Sequence, residues 1–153
     1  ALPKVKVIRL EKDLTSAIRL IDKFLCKNNL ELTYTITLDY KMKNFGEFDL
    51  NKKNVISLNP AAFYDTKKEE PHAKYYSTDF SIGAVAVHEF CHMYDEKINM
   101  LVKYREEFPE RFYLNKNSEK DSREELAELF SLFILNPYFL KLINTRYCIN
   151  GLG

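Results

Sequence analysis

Ser81-Ile82-Gly83-Ala84-Val85-Ala86-Val87-His88-Glu89-Phe90-Cys91-His92 is an almost wholly apolar run that ends in H-E-x-x-H. Residues i and i+4 of an α-helix stand one above the other on one face. A helix through this stretch therefore aims the imidazoles of His88 and His92 at one point. Glu89 lies about 100° round the helix from His88, where its carboxylate reaches a water on a bound ion without being a ligand. This is the helix-borne zinc pattern of metalloproteases, with the glutamate as general base. The apolar run before it belongs in a core, where unpaired charged groups are costly. Two histidines and a glutamate at its end need partners, and a metal supplies them.

The chain has 153 residues, 46% of them hydrophobic, with ten Tyr, eleven Phe and a net charge of +1. That length and composition predict a single domain over residues 1–153 with one good core. The balanced charge gives no field that favours nucleic acid or an anionic surface. No stretch approaches the roughly 20 apolar residues of a membrane span. The three cysteines, Cys26, Cys91 and Cys148, are too few and too scattered for a disulfide framework. Cys91 reads as a small buried hydrophobe. The chain opens at Ala1, so compartment is left open, as is oligomeric state.

Outward from the motif, the pattern predicts an α+β domain. Val5, Val7 and Ile8 suggest an opening strand, and Asp13 to Lys27 a helix with Leu14, Ile18, Ile21 and Leu25 on one face. Leu32 to Leu38 alternates as a half-buried strand. Lys43 to Gly46 reads as a turn. Val55 to Leu58 reads as a strand at the sheet edge, able to hold an extended substrate over the motif helix. Asp65 to Tyr76 reads as a loop. Thr78 or Asp79 is the expected N-cap of the motif helix, which runs to about Asn99. A charged stretch, Lys103 to Glu110, and a polar loop, Asn115 to Asp121, follow. Asp121 or Ser122 caps a helix over Arg123 to Leu135, with a short apolar helix after it over Tyr138 to Ile143.

A catalytic zinc keeps three protein ligands and one open position. The remaining histidine, His72, stands in a loop that no helix geometry ties to the pair, and Cys26 lies far upstream. The last long helix offers carboxylates instead. Glu124, Ala127, Glu128 and Ser131 share a face at i, i+3, i+4 and i+7. Glu124 is the expected third ligand, with Glu125 the alternative, and Glu128 is expected to accept a hydrogen bond from a ligand imidazole. Asp95, three residues after His92, is expected to support the ligands in the same way.

His88-Glu89-Phe90-x-His92-x-x-Asp95 with Glu124-x-x-Ala127-Glu128-x-Phe130 resembles the zinc domain of the anthrax lethal factor family, which includes the bacterial Pro-Pro endopeptidases. The resemblance implies a zincin-type protease with a His-His-Glu site acting on a peptide or protein substrate. Members carry a Tyr seven residues before the third ligand, which stabilises the oxyanion. That position is Asn117 here, and Tyr113, eleven residues before Glu124, is the nearest substitute. The family's Gly after the motif Phe is Cys91. A weaker resemblance links Glu124-x-x-Ala127-x-x-Phe130 and Pro137 to the ImmA/IrrE family of zincin-like proteins that act on repressors; its Asn is Glu128 here. The expected activity is zinc-dependent peptide hydrolysis. A non-catalytic zinc-binding regulator or toxin module, or a metal that only cross-links two helices, is the alternative.

Overall fold

The computed structural model describes residues 4–63, 81–111, 113 and 115–138. Helix α1 spans Lys4–Lys27. It therefore covers Val5, Val7 and Ile8, which the sequence suggested as a strand. Lys4, Lys6, Arg9, Leu10 and Glu11 are good helix formers and extend the helix from its well-patterned second half. Along its inner face Ala17, Ile21 and Leu25 are buried, at spacings of four residues. Asn29, at φ 53°, ends it in the left-handed conformation, and the Leu30 amide returns to the Leu25 carbonyl at 2.9 Å.

Three short strands follow: β1 (Thr35–Leu38), β2 (Gly46–Phe48) and β3 (Val55–Leu58). Their order is β1-β3-β2. β1 runs parallel to β3, with Thr35 opposite Val55 and Leu38 opposite Leu58. β2 runs antiparallel to it, with Gly46 opposite Leu58 and Phe48 opposite Ile56. Val55 to Leu58 is thus the central strand, not the edge. Its burial explains why: Ile56, Ser57 and Leu58 are all buried in succession, a pattern of a strand enclosed on both sides rather than one with a wet face. Among the described strands the edges are β1 and β2. A 3₁₀ turn, Pro60–Phe63, follows β3.

Helix α2, Ile82–Ile98, carries the motif. Its N-cap is Ser81, whose Oγ accepts the Ala84 amide at 3.0 Å, so the cap lies after the expected Thr78 or Asp79. Those two residues, the 65–76 loop with His72, and Cys148 fall outside the described residues, as does nearly all of the expected 138–143 helix. Gly83 lets α1 approach closely, since a Cβ there would stand 2.5 Å from the Asp13 carbonyl oxygen. Beyond it Val85, Ala86, Val87, Phe90 and Met93 are buried. Phe24 of α1 meets the Phe90 and Tyr94 rings edge-on at 6.1 and 5.4 Å.

Asn99, at φ 56°, ends α2 and begins α3, Met100–Glu107. Part of the charged 103–110 stretch is therefore helical, anchored by buried Tyr104. A five-residue helix α4, Lys116–Lys120, stands where the sequence suggested a polar loop. Asn115 and Ser118 close a reciprocal capping box round its start. Helix α5, Ser122–Leu135, is capped by Asp121, whose Oδ1 accepts the Glu124 amide at 2.9 Å. Leu126, Phe130 and Ile134 are buried and Phe133 is half-buried; Leu129 and Leu132 are buried as well, in a second small core with Leu126 and Tyr104 of α3. The result is a mixed helix-and-sheet architecture in which α2 packs against α1, α5 and strands β2 and β3 of a three-stranded sheet. No helix of the described residues is long and apolar enough to cross a membrane.

Candidate metal centre

Helices α2 and α5 bring His88, His92 and Glu124 together. The His88 Nε2 stands 3.0 Å from Glu124 Oε2, and the His92 Nε2 stands 3.1 Å from both His88 Nε2 and Glu124 Oε1. Ligands held about 2.0–2.1 Å from a tetrahedral zinc lie about 3.3 Å apart. The three donors therefore need to open by only about 0.2–0.3 Å to hold such an ion. Two neutral imidazoles and a carboxylate are also the donor chemistry zinc takes, so the residues fit the metal. No fourth His, Cys, Asp or Glu joins the group among the described residues.

The nitrogen of His88 turned away from the group, Nδ1, lies 2.9 Å from Glu128 Oε1. A carboxylate there fixes which nitrogen carries the proton and leaves the lone pair on Nε2. With no metal bound, His88 takes the second proton as well. Burial opposes its charge, but the Glu124 and Glu128 carboxylates outweigh it and lift His88 up to about 10. Burial works against the charges of Glu124 and Glu128 too. His88 and His92 nevertheless hold Glu124 well below the usual carboxylate range, and His88 with Asn117 and Asn115 lowers Glu128.

Glu89 is half-buried. Burial raises its pKa, against the pull of the two imidazoles and a hydrogen bond from the Phe48 amide, while the Glu124 charge adds to the rise. A carboxylate that lines the same cleft as two metal donors stands where a general base is needed. Glu89, His92 and Glu124 line a cleft of about 350 Å³, closed on its other sides by Gly46, Glu47 and Phe48 of β2 and by Arg123.

The other expected residues stand elsewhere. Asp95 lines the far end of the cleft, but its Oδ1 accepts the Leu101 amide at 2.7 Å, so it ties α2 to α3 at their corner. Tyr113 is 59% exposed and does not line the cleft; the Arg111 guanidinium covers its ring at 5.1 Å. Helix α4 lies in sequence between Tyr113 and the ligand helix. Glu125, the alternative ligand, is fully buried on a different face of α5, about 100° round from Glu124, paired with Arg105 and with Arg111 Nε at 2.7 Å. Cys91 is buried with its Sγ 3.7 Å from Ser131 Oγ, and burial pushes its thiol well up, which keeps it protonated.

Sequence reasoning missed two groups: the amide donors Asn115 and Asn117, both on Glu128, and the two arginines on Glu125. The capping-box spacing of Asn115 and Ser118 was the readable signal for the first. No family model, curated protein or solved structure matches the chain.

Proposed function

We propose that this chain is a zinc-dependent endopeptidase with a zincin-like arrangement, in which His88, His92 and Glu124 hold the metal and Glu89 is the general base. The observation that carries the reading is the convergence of the three donor atoms within 4.8 Å of one another, with His92 and Glu124 at the wall of a cleft that Glu89 also lines. A metal that merely cross-linked two helices would have no need of an ionisable, partly desolvated carboxylate beside it. The residue pattern shared with lethal-factor-type zinc proteases supports the same reading.

Zinc bound there supplies a Lewis acid for the scissile carbonyl and lowers the pKa of water. Glu89 takes the proton of the attacking water and passes it to the leaving amine. Glu128 keeps the His88 ring oriented with its Nε2 turned to the ion. The substrate backbone lies extended along β2, which has β3 as its neighbour on one side and the cleft beside it, so main-chain hydrogen bonds align the peptide. Strand β2 takes the role the sequence suggested for Val55 to Leu58.

The test is zinc content by elemental analysis together with cleavage of a peptide library. Wild type is expected to carry one zinc per chain and to cleave. Glu89→Gln is expected to keep the zinc and lose about 10²–10⁴-fold in rate. A wild-type protein without stoichiometric zinc, or a Glu89→Gln variant as active as wild type, overturns the proposal.

A further inference from the structure

Glu128 orients His88, but a buried carboxylate on a helix has to be oriented itself. The groups that do so come from the segment just before α5. Asn115 Nδ2 donates to Glu128 Oε2 at 2.8 Å, and Asn117 Nδ2 donates to Glu128 Oε1 at 3.0 Å. The Asn115 amide is fixed in its turn. Its Oδ1 accepts the Ser118 amide at 2.9 Å, so its NH₂ end must face Glu128. Ser118 is pinned as well: it is fully buried, its Oγ accepts the Asn115 amide at 2.9 Å, and its carbonyl accepts from the Arg111 guanidinium at 2.6 Å. Arg111 is in turn held by Glu125 on α5.

We infer that Asn115 and Asn117 are positioning residues for the metal: the two amides clamp both oxygens of Glu128, so that it presents a fixed acceptor to His88 Nδ1–H and His88 presents Nε2 to the ion. The alternative, that they only stabilise the α4 turn, does not account for the aim of both NH₂ groups at one carboxylate. A cap on α4 requires Asn115 Oδ1 alone, and Asn117 takes no part in the capping box. Loss of a group that hydrogen-bonds a metal-bound imidazole costs about 10–100-fold in metal affinity; Asn115 and Asn117 act one bond further out, through Glu128.

This inference rests on the metal reading above, and the test separates the two. Zinc dissociation constants are measured by competition with a chromogenic chelator, and the ligand field by the visible absorption of the Co²⁺-loaded protein. Asn117→Leu removes one donor at similar volume. Asn115→Asp keeps an acceptor for Ser118, and aspartate is a good N-cap, but it sets a carboxylate oxygen against Glu128 Oε2. Asn115→Asp thus carries the test should Asn117→Leu fail to fold. Each variant is expected to weaken zinc about 10-fold, the lower end of that range, and to shift the Co²⁺ bands. Zinc affinity within twofold of wild type and unchanged Co²⁺ spectra, in a folded variant, overturn the clamp alone. A wild-type protein that binds neither ion overturns the metal reading.

Discussion

Glu124 and Glu125 are neighbours in sequence, yet replacing each by alanine should have opposite consequences. Glu125 has no exposure to solvent, and its partners Arg105 and Arg111 are 22% and 29% exposed along their side chains. Removing one member of a fully buried pair costs about 3–5 kcal/mol, because the partner's charge is stranded. Here both guanidinium groups reach water in part and rehydrate, so Glu125→Ala should cost about 2–3 kcal/mol. That is a sizeable share of the roughly 5–15 kcal/mol by which a domain is stable. At about 2–4 °C per kcal/mol for a chain of this size, the melting temperature should fall roughly 5–10 °C. The assay is thermal unfolding by circular dichroism in the presence of chelator, with zinc content measured separately at low temperature. Glu125→Ala should melt early yet still take up one zinc. Glu124→Ala should lose the zinc. A Glu125→Ala variant that melts within 2 °C of wild type, or that cannot take up zinc while fully folded, would refute the assignment of the two glutamates to different faces of α5.

Gly83→Ala should destabilise the protein. The gain in helix propensity is about 1 kcal/mol, but the new Cβ stands 2.5 Å from the Asp13 carbonyl oxygen and 3.1 Å from Ala17 Cβ, and overpacking typically costs about 1–3 kcal/mol. A lower urea midpoint at unchanged slope is expected, and a higher midpoint would contradict the close contact of α1 with α2. In the metal-free protein the protonated His88, lifted up to about 10, contributes stability in full below its unfolded value of about 6.5. That contribution is lost as pH rises through 10. The melting temperature in chelator should therefore decline from neutral to alkaline pH. Zinc-saturated protein should lack this decline, since its imidazoles are already neutral ligands.

The site was legible where helix geometry alone dictates it. The fourfold spacing of His88 and His92, and of Glu124 and Glu128, places each pair on one face whatever the rest of the chain does. The Ser81 to Val87 run announced its own burial. Tertiary context decided the remainder. Val5 and Val7 alternate like a strand, yet the strong helix after them propagates through them. The three residues of β2 are too few to carry a periodicity, so the sequence assigned its edge to the better-patterned Val55 to Leu58. The central place of that strand depends on two partners that sequence order does not reveal. Tyr113 looked like a replacement for a tyrosine that the chain lacks at position 117, but the α4 turn sets it against Arg111. Glu125 and Arg105 join through a helix–helix contact that no local pattern encodes.

One residue, Asn99, separates α2 from α3, and Asp95 fastens that corner twice, through its carbonyl to the Asn99 amide at 2.7 Å and through its side chain to Leu101. The path from the histidine helix through the corner to Arg105, across to Glu125 and back along α5 to Glu124 is therefore a closed circuit of short links. A single added residue at the corner would pull Leu101 away from the Asp95 carboxylate and break that circuit without touching any donor atom. Length at this position is thereby constrained as tightly as identity is at the histidines.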